Sequence, residues 1–428
     1  MVLRPLLLTL LSVLFATTSF AASFSMLTTS DVSALLNEDN VIFVDARDPN
    51  AFNGWAMQNE KRTGHLPKAT NLAADWITRD LPRTAEIAAA KKLSKADQLV
   101  VYGYTTAEAR IVADWLVTQG ISEKRIALYS GGFAAWAETD LPLLRLNQYE
   151  LIVPVQWVEK QIDTKNTMIV EASWGEGKVY KRNHIPGAIH LNTDLVESGD
   201  LNWNFFPQET IKKNLLALGI TADTRVILYG EAGIDAARAA VAMMAVGVKD
   251  VRIINGGLHA WKAAGYPTER GEVEPVAASN FGDAVARPEL VIQEADAKRI
   301  LAAPDAELVS IRSWPEYIGE TTGYSYIKPK GRIKGAVWGH AGKDAYNMDD
   351  FRNPDQTMRD YHEIEAFWKD WGITPDKEVS FYCGTGWRAS ETLIYAMAMG
   401  YKRASLFDDG WNIWSMNPDN PIVIGEAK

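Results

Sequence analysis

The chain of 428 residues holds one cysteine, Cys383, and it is followed by Gly384-Thr385-Gly386-Trp387-Arg388. A lone thiol is either a small buried hydrophobe or a reactive group, and its surroundings decide between the two. Glycines at 384 and 386 allow successive backbone N–H groups to turn inward and form a nest that holds an anion. A helix predicted to begin near Arg388 adds the positive end of its dipole at the same point. Sulfur held there is favoured as thiolate, and Arg388 closes the loop with a permanent charge. These residues predict nucleophilic covalent chemistry at Cys383, with no general base required. No cofactor and no metal site are expected: the six His are scattered and there is no second Cys.

The elements that must present this loop recur along the chain. Residues 379–383 form an apolar run ending in Tyr382-Cys383, and residues 99–103 and 226–230 end likewise in Tyr102-Gly103 and Tyr229-Gly230. Each is predicted as a strand, and each is followed by an apolar helical stretch. Then comes a Gly with a Trp four residues on: Gly132 and Trp136, Gly257 and Trp261, Gly410 and Trp414. The span from Gly230 to Trp261 is 31 positions, and so is that from Cys383 to Trp414. Upstream lie three more predicted strands (41–47, 168–172 and 308–312), each leading to a Gly/His-type turn near His65, His184 or Arg332. Short β-branched runs alternating with helices indicate βα units on a parallel sheet, repeated three times. Residues 140–149 and 266–288 read as linkers, and residues 320–329 as an insertion rich in Gly, Tyr and Thr.

Composition bounds the rest. A 47% hydrophobic, 23% charged chain is ordinary for globular domains, and its length suits about three of them. A net charge of −10 argues against nucleic acid or an anionic membrane as the main partner. One Cys excludes a disulfide within the chain. At the start, Arg4, an apolar run over 6–15 and small residues over 17–23 have the order of an export leader, predicted to cover 1–22. The expected product is a periplasmic, soluble protein with no membrane attachment once the leader is removed.

Taken together, the Asp-x-Arg strand end, the Gly-His-Ile-Pro-Gly-Ala-like turn, the cysteine after a strand and the final Gly-Gly-x-x-x-Trp resemble the rhodanese sulfurtransferases. The number of units, the leader and the loop from Cys383 to Arg388 are similar to those of an exported, three-domain bacterial member. The resemblance implies an α/β fold of three tandem domains, each a parallel five-stranded sheet flanked by helices. Domain 1 would span 24–146 and domain 2 147–274, both inactive because Gly103 and Gly230 stand at the cysteine position. Domain 3, 275–428, would be catalytic. The implied activity moves sulfane sulfur from thiosulfate, through a Cys383 persulfide, to cyanide or a thiol. The alternative is a binding or relay module that takes sulfur from a protein donor and passes it to a sulfur-carrier protein. Gly384, Thr385, Gly386, Trp387 and Arg388 would hold the substrate. Arg312, at a strand end where family members carry an Arg near the pocket, is either a further substrate ligand or a salt-bridge residue. Trp387 either walls the mouth or packs a helix; Thr385 either offers its hydroxyl or faces water. Ser310 replaces the customary Asp, Arg332 stands where His is common, and His65 and His184 are read as turn residues. A loop with four residues between Cys383 and Arg388 is one shorter than in cysteine phosphatases, which suits a single sulfur atom rather than a phosphate.

Overall fold

The computed structural model describes residues 23–231 and 233–426. The leader expected over 1–22 lies outside the described residues. Three parallel five-stranded sheets follow one another, each with the spatial order 1-5-4-2-3 by position within its unit. The first runs Ser25–Leu27, Ile126–Tyr129, Gln98–Tyr102, Val41–Asp45, Ala69–Asn71. The second runs Ile152–Val153, Asp250–Ile254, Arg225–Tyr229, Thr167–Ser173, Ile189–Asn192, and the third Val291–Ile292, Ala404–Phe407, Glu378–Tyr382, Ala306–Ser310, Val337–Trp338. The repeated unit expected from the sequence is therefore present three times.

The central strands are near-continuous apolar runs because helices cover both faces. Val100, Val101, Val226, Ile227, Val379 and Phe381 are all fully buried. The recurring tryptophans are core posts: Trp136, Trp261 and Trp414 are buried, and each indole N–H donates to a proline carbonyl, of Pro142, Pro267 and Pro421. His65 and His184 lie in the predicted turns, where each bonds a local carbonyl, of Phe52 and Tyr180.

One feature of the second unit bears directly on the third. The helix Ile234–Ala245 is Ala-rich and buried on every face, so it must be enclosed rather than laid on a surface. It packs against Trp387–Met399, the helix that follows Cys383. A continuous buried cluster runs through all three units. Residues 266–287 cross between units two and three without regular structure, tied down by Glu269 to His184 and by the Phe281 carbonyl to the Ala222 N–H.

Candidate active site

The parallel register sets which residues meet. Glu378–Tyr382 is the middle strand, with Ala306–Ser310 on one side and Ala404–Phe407 on the other. Ser310 pairs with Tyr382, and Phe381 with Leu406. The strands thus end together, and the residues just past them converge: Arg312, Cys383 and Asp408. Open α/β sheets place ligands at this carboxyl edge.

Cys383 is fully buried. Its carbonyl accepts the Trp411 N–H at 2.8 Å, and the Gly384 carbonyl accepts the Asn412 N–H at 3.0 Å. In a planar trans peptide the N–H points opposite the C=O, so these bonds turn the Gly384 and Thr385 N–H groups away from Trp411 and Asn412. Glycine is required at two places. A Cβ on residue 384 would lie 2.3 Å from Tyr324 Cε2, and Gly386, at φ +89°, starts the helix from the left-handed region. The helix begins at Trp387, as expected, and Ser390 returns both its N–H and its hydroxyl to the Gly386 carbonyl.

Arg388 is fully buried and forms a two-pronged ion pair with Glu316, at 2.8 and 2.9 Å. Its Nε–H has no partner among the described residues. Burial pushes the Glu316 carboxyl up, but Arg388, then Arg312 and Ser313, outweigh it and hold it down at about 2. Arg312 is also fully buried. It donates to the Gly331 carbonyl at 2.7 Å, reaches Glu316 at 3.4 Å and lies 4.9 Å from the Trp411 ring centre. These contacts put Arg312 one step behind the loop, where it steadies the acid that steadies Arg388. Thr385 is buried rather than facing water. Trp387, half-buried, donates its indole N–H at 2.7 Å to Glu197 of the second unit.

Three groups at the site have no counterpart in the sequence reading. Tyr324 and Tyr326 come from the insertion over 320–329; their rings stack at 5.3 Å, and Tyr346 meets Tyr324 edge-on at 5.6 Å. Glu316 is the third. The aromatic richness of the insertion was the one available signal; Glu316 carried none. Among the described residues no cluster of His, Cys, Asp and Glu is arranged to hold a metal ion, and no helix is long and apolar enough to cross a membrane.

The sequence profile of the rhodanese-like domain matches residues 28–139, 154–264 and 293–417. The chain belongs to the rhodanese family. Among its relatives, "Thiosulfate sulfurtransferase YnjE" of Escherichia coli (strain K12) is 42% identical over 401 residues, 91% of each chain. "Sulfur carrier protein TtuD" of Thermus thermophilus is 28% identical, covering 65% of this chain and 98% of its own. The wild-type structure of EanB superposes over 95% of this chain and 99% of that one, with a TM-score of 0.91 and 38% identity. The Chlorobium limicola anaerobic ergothioneine biosynthesis enzyme, solved with trimethyl histidine, gives 0.90 and 38% over 95% and 100%. The sequence had pointed to YnjE as the individual likeness. The whole-chain structural matches are to EanB instead, and they correct that assignment. One EanB structure holds a cysteine persulfide with ergothioneine. This chain is thus a rhodanese-family sulfur-transfer enzyme whose sequence holds one cysteine, Cys383.

Proposed function

We propose that Cys383 takes sulfane sulfur from a small anionic donor, thiosulfate being the simplest, and delivers it to cyanide or a thiol. The Cys383 thiolate attacks the outer sulfur, the S–S bond of thiosulfate breaks, and sulfite leaves with the bonding pair. The persulfide anion that remains is held by the N–H groups of Gly384, Thr385, Gly386 and Trp387. Cyanide or a thiolate then takes the terminal sulfur and the Cys383 thiolate returns. The single observation that carries this reading is the buried loop around Cys383, in which the Arg388 Nε–H has no partner among the described residues while Glu316 accepts from both of its other nitrogens. An orphaned buried donor costs stability unless an acceptor meets it, and an anionic sulfur would be one.

A second reading concerns the acceptor. In EanB the tyrosine and the threonine replaced in several solved variants lie 59 positions before and two after the persulfide cysteine. Tyr324 and Thr385 stand at the same spacing from Cys383. EanB structures contain hercynine or ergothioneine, so an organic acceptor set against Tyr324 and Tyr326 is the alternative to cyanide.

The test is Cys383→Ser, which keeps the shape and removes the soft nucleophile. Transfer from thiosulfate should fall more than ~100-fold with the fold unchanged, the scale expected for a lost nucleophile. Activity near that of the natural chain would end the proposal. Mixing the persulfide form separately with cyanide, a thiol and hercynine, and following the sulfur by mass, decides between the acceptors.

A further inference from the structure

The second unit has no nucleophile, yet it sends one side chain to the base of the catalytic loop. Arg238, on Ile234–Ala245, is fully buried. A Cβ on Gly386 would lie 2.5 Å from its Nη1, so the guanidinium occupies the space that a glycine leaves free. Its fork is fully directed. Nε donates to Glu197 at 2.7 Å, Nη1 to Asp408 at 2.7 Å and Nη2 to the Trp203 carbonyl at 2.7 Å, with the Phe205 ring 3.6 Å away.

Both acids lead to the loop that holds Cys383. Glu197 accepts the Trp387 indole N–H at 2.7 Å, at the loop's helical end. Asp408 begins the turn whose Trp411 and Asn412 N–H groups grip the Cys383 and Gly384 carbonyls, at its strand end. It also accepts the Phe205 N–H at 2.8 Å, fixing the second unit to the third. The hairpin that supplies these contacts carries backbone strain: Asn202 and Trp203 have φ of +56° and +70°, the latter uncommon for a bulky residue. Strain of this kind persists only where surrounding contacts hold it, and it clusters at functional sites.

We infer that Arg238 is a positioning residue for sulfur transfer, spanning both ends of the Cys383 loop from the neighbouring unit so that its N–H groups stay aimed at the sulfur. This rests on the persulfide reading above. Lysine cannot replace it, because a point charge cannot reach Glu197, Asp408 and the Trp203 carbonyl in one plane.

The experiment uses the full-length protein and reads persulfide formation on Cys383 after rapid mixing with thiosulfate, beside the melting temperature. Arg238→Lys is expected to lower the loading rate by about 10- to 100-fold, the scale of a small misplacement at a reacting centre. Removing the charge alone would bury two unpaired acids. Arg238→Met with Glu197→Gln and Asp408→Asn therefore keeps the fold testable, and it should load as slowly. Trp387→Phe breaks only the Glu197 link; it should slow loading less and leave the melting temperature nearly unchanged. If both Arg238 variants load at the natural rate and only melt earlier, the inference is wrong and Arg238 merely joins the units. Failure of the natural chain itself to load would overturn the persulfide reading instead.

Discussion

The first two units and the third carry the same loop with its charge reversed. Five positions after the head residue the third unit has Arg388, whereas the first has Glu108 and the second Asp235. In those units the carboxylate turns back into the place a cysteine would occupy. A Cβ on Gly103 would stand 2.6 Å from Glu108 Oε2, and one on Gly230 2.5 Å from Asp235 Oδ1. Glu108 also accepts the Tyr104 N–H at 2.6 Å, filling a loop donor from inside the chain. The first loop thus takes an internal carboxylate on a backbone donor, and in the second Asp235 fills the same space with its Oδ1 unpartnered among the described residues. Loss of the nucleophile and reversal of the arginine are one change seen at two positions, since a buried acid beside a thiolate would oppose ionisation of both.

Importing the acid into the third unit should have the largest effect. Arg388→Glu is expected to reduce sulfur loading well beyond 100-fold, Arg388→Ala less and Arg388→Lys least, in a loading assay with thiosulfate. Each leaves Glu316 short of its partner, and the alanine form should lose roughly 3–5 kcal/mol in denaturant titration, the scale for opening a buried ion pair. If Arg388→Glu loads normally, the contrast between the units means nothing for chemistry.

Next in size is the reverse exchange. Gly103→Cys should not become persulfidated, because the new side chain meets Glu108, and overpacking should cost about 1–3 kcal/mol. Adding Glu108→Ala should restore most of that stability and expose the new thiol to an alkylating reagent. A Gly103→Cys protein that is as stable as the natural chain would show that Glu108 does not fill the loop.

The smallest effect is in pH dependence. Burial, with Glu171 and Glu391 nearby, pushes the Asp235 carboxyl up to about 7, and Arg352 only partly opposes this. Stability tied to this group is full below its ordinary value of 3.8 and is lost as pH rises through about 7. Glu316 has the opposite sign: its contribution is present above 4.5 and is lost as pH falls through about 2. Asp235→Asn should therefore flatten the fall in melting temperature between pH 4 and 7 without touching the acid limb. An unchanged neutral limb would mean that Asp235 is not ionising there.

The contrast between the units was legible in the sequence only in part. Gly103 and Gly230 stood out because the nucleophile position is fixed by a local pattern, a strand ending in tyrosine. The loop around Cys383 was legible for the same reason, its parts being contiguous. Glu316 lies 72 residues from Arg388, and Glu197 190 residues from Trp387, so only folding brings them together. No periodicity records such pairs. Arg312 was visible as a charge at a strand end, but its acceptors, the Gly331 carbonyl and Glu316, come from packing. The likeness to YnjE rested on unit count, leader and the loop from Cys383 to Arg388, whereas superposition weighs the whole backbone and points to EanB.

The central claim is that the sulfur passes through Cys383 and nowhere else. The direct measurement is intact and peptide mass after brief exposure to thiosulfate, with released sulfite quantified in the same sample. The account predicts one added sulfur per chain, on the peptide containing Cys383, one equivalent of sulfite, and loss of the sulfur on adding an acceptor. Sulfur transfer with Cys383 unmodified, or transfer that survives Cys383→Ser, would contradict it.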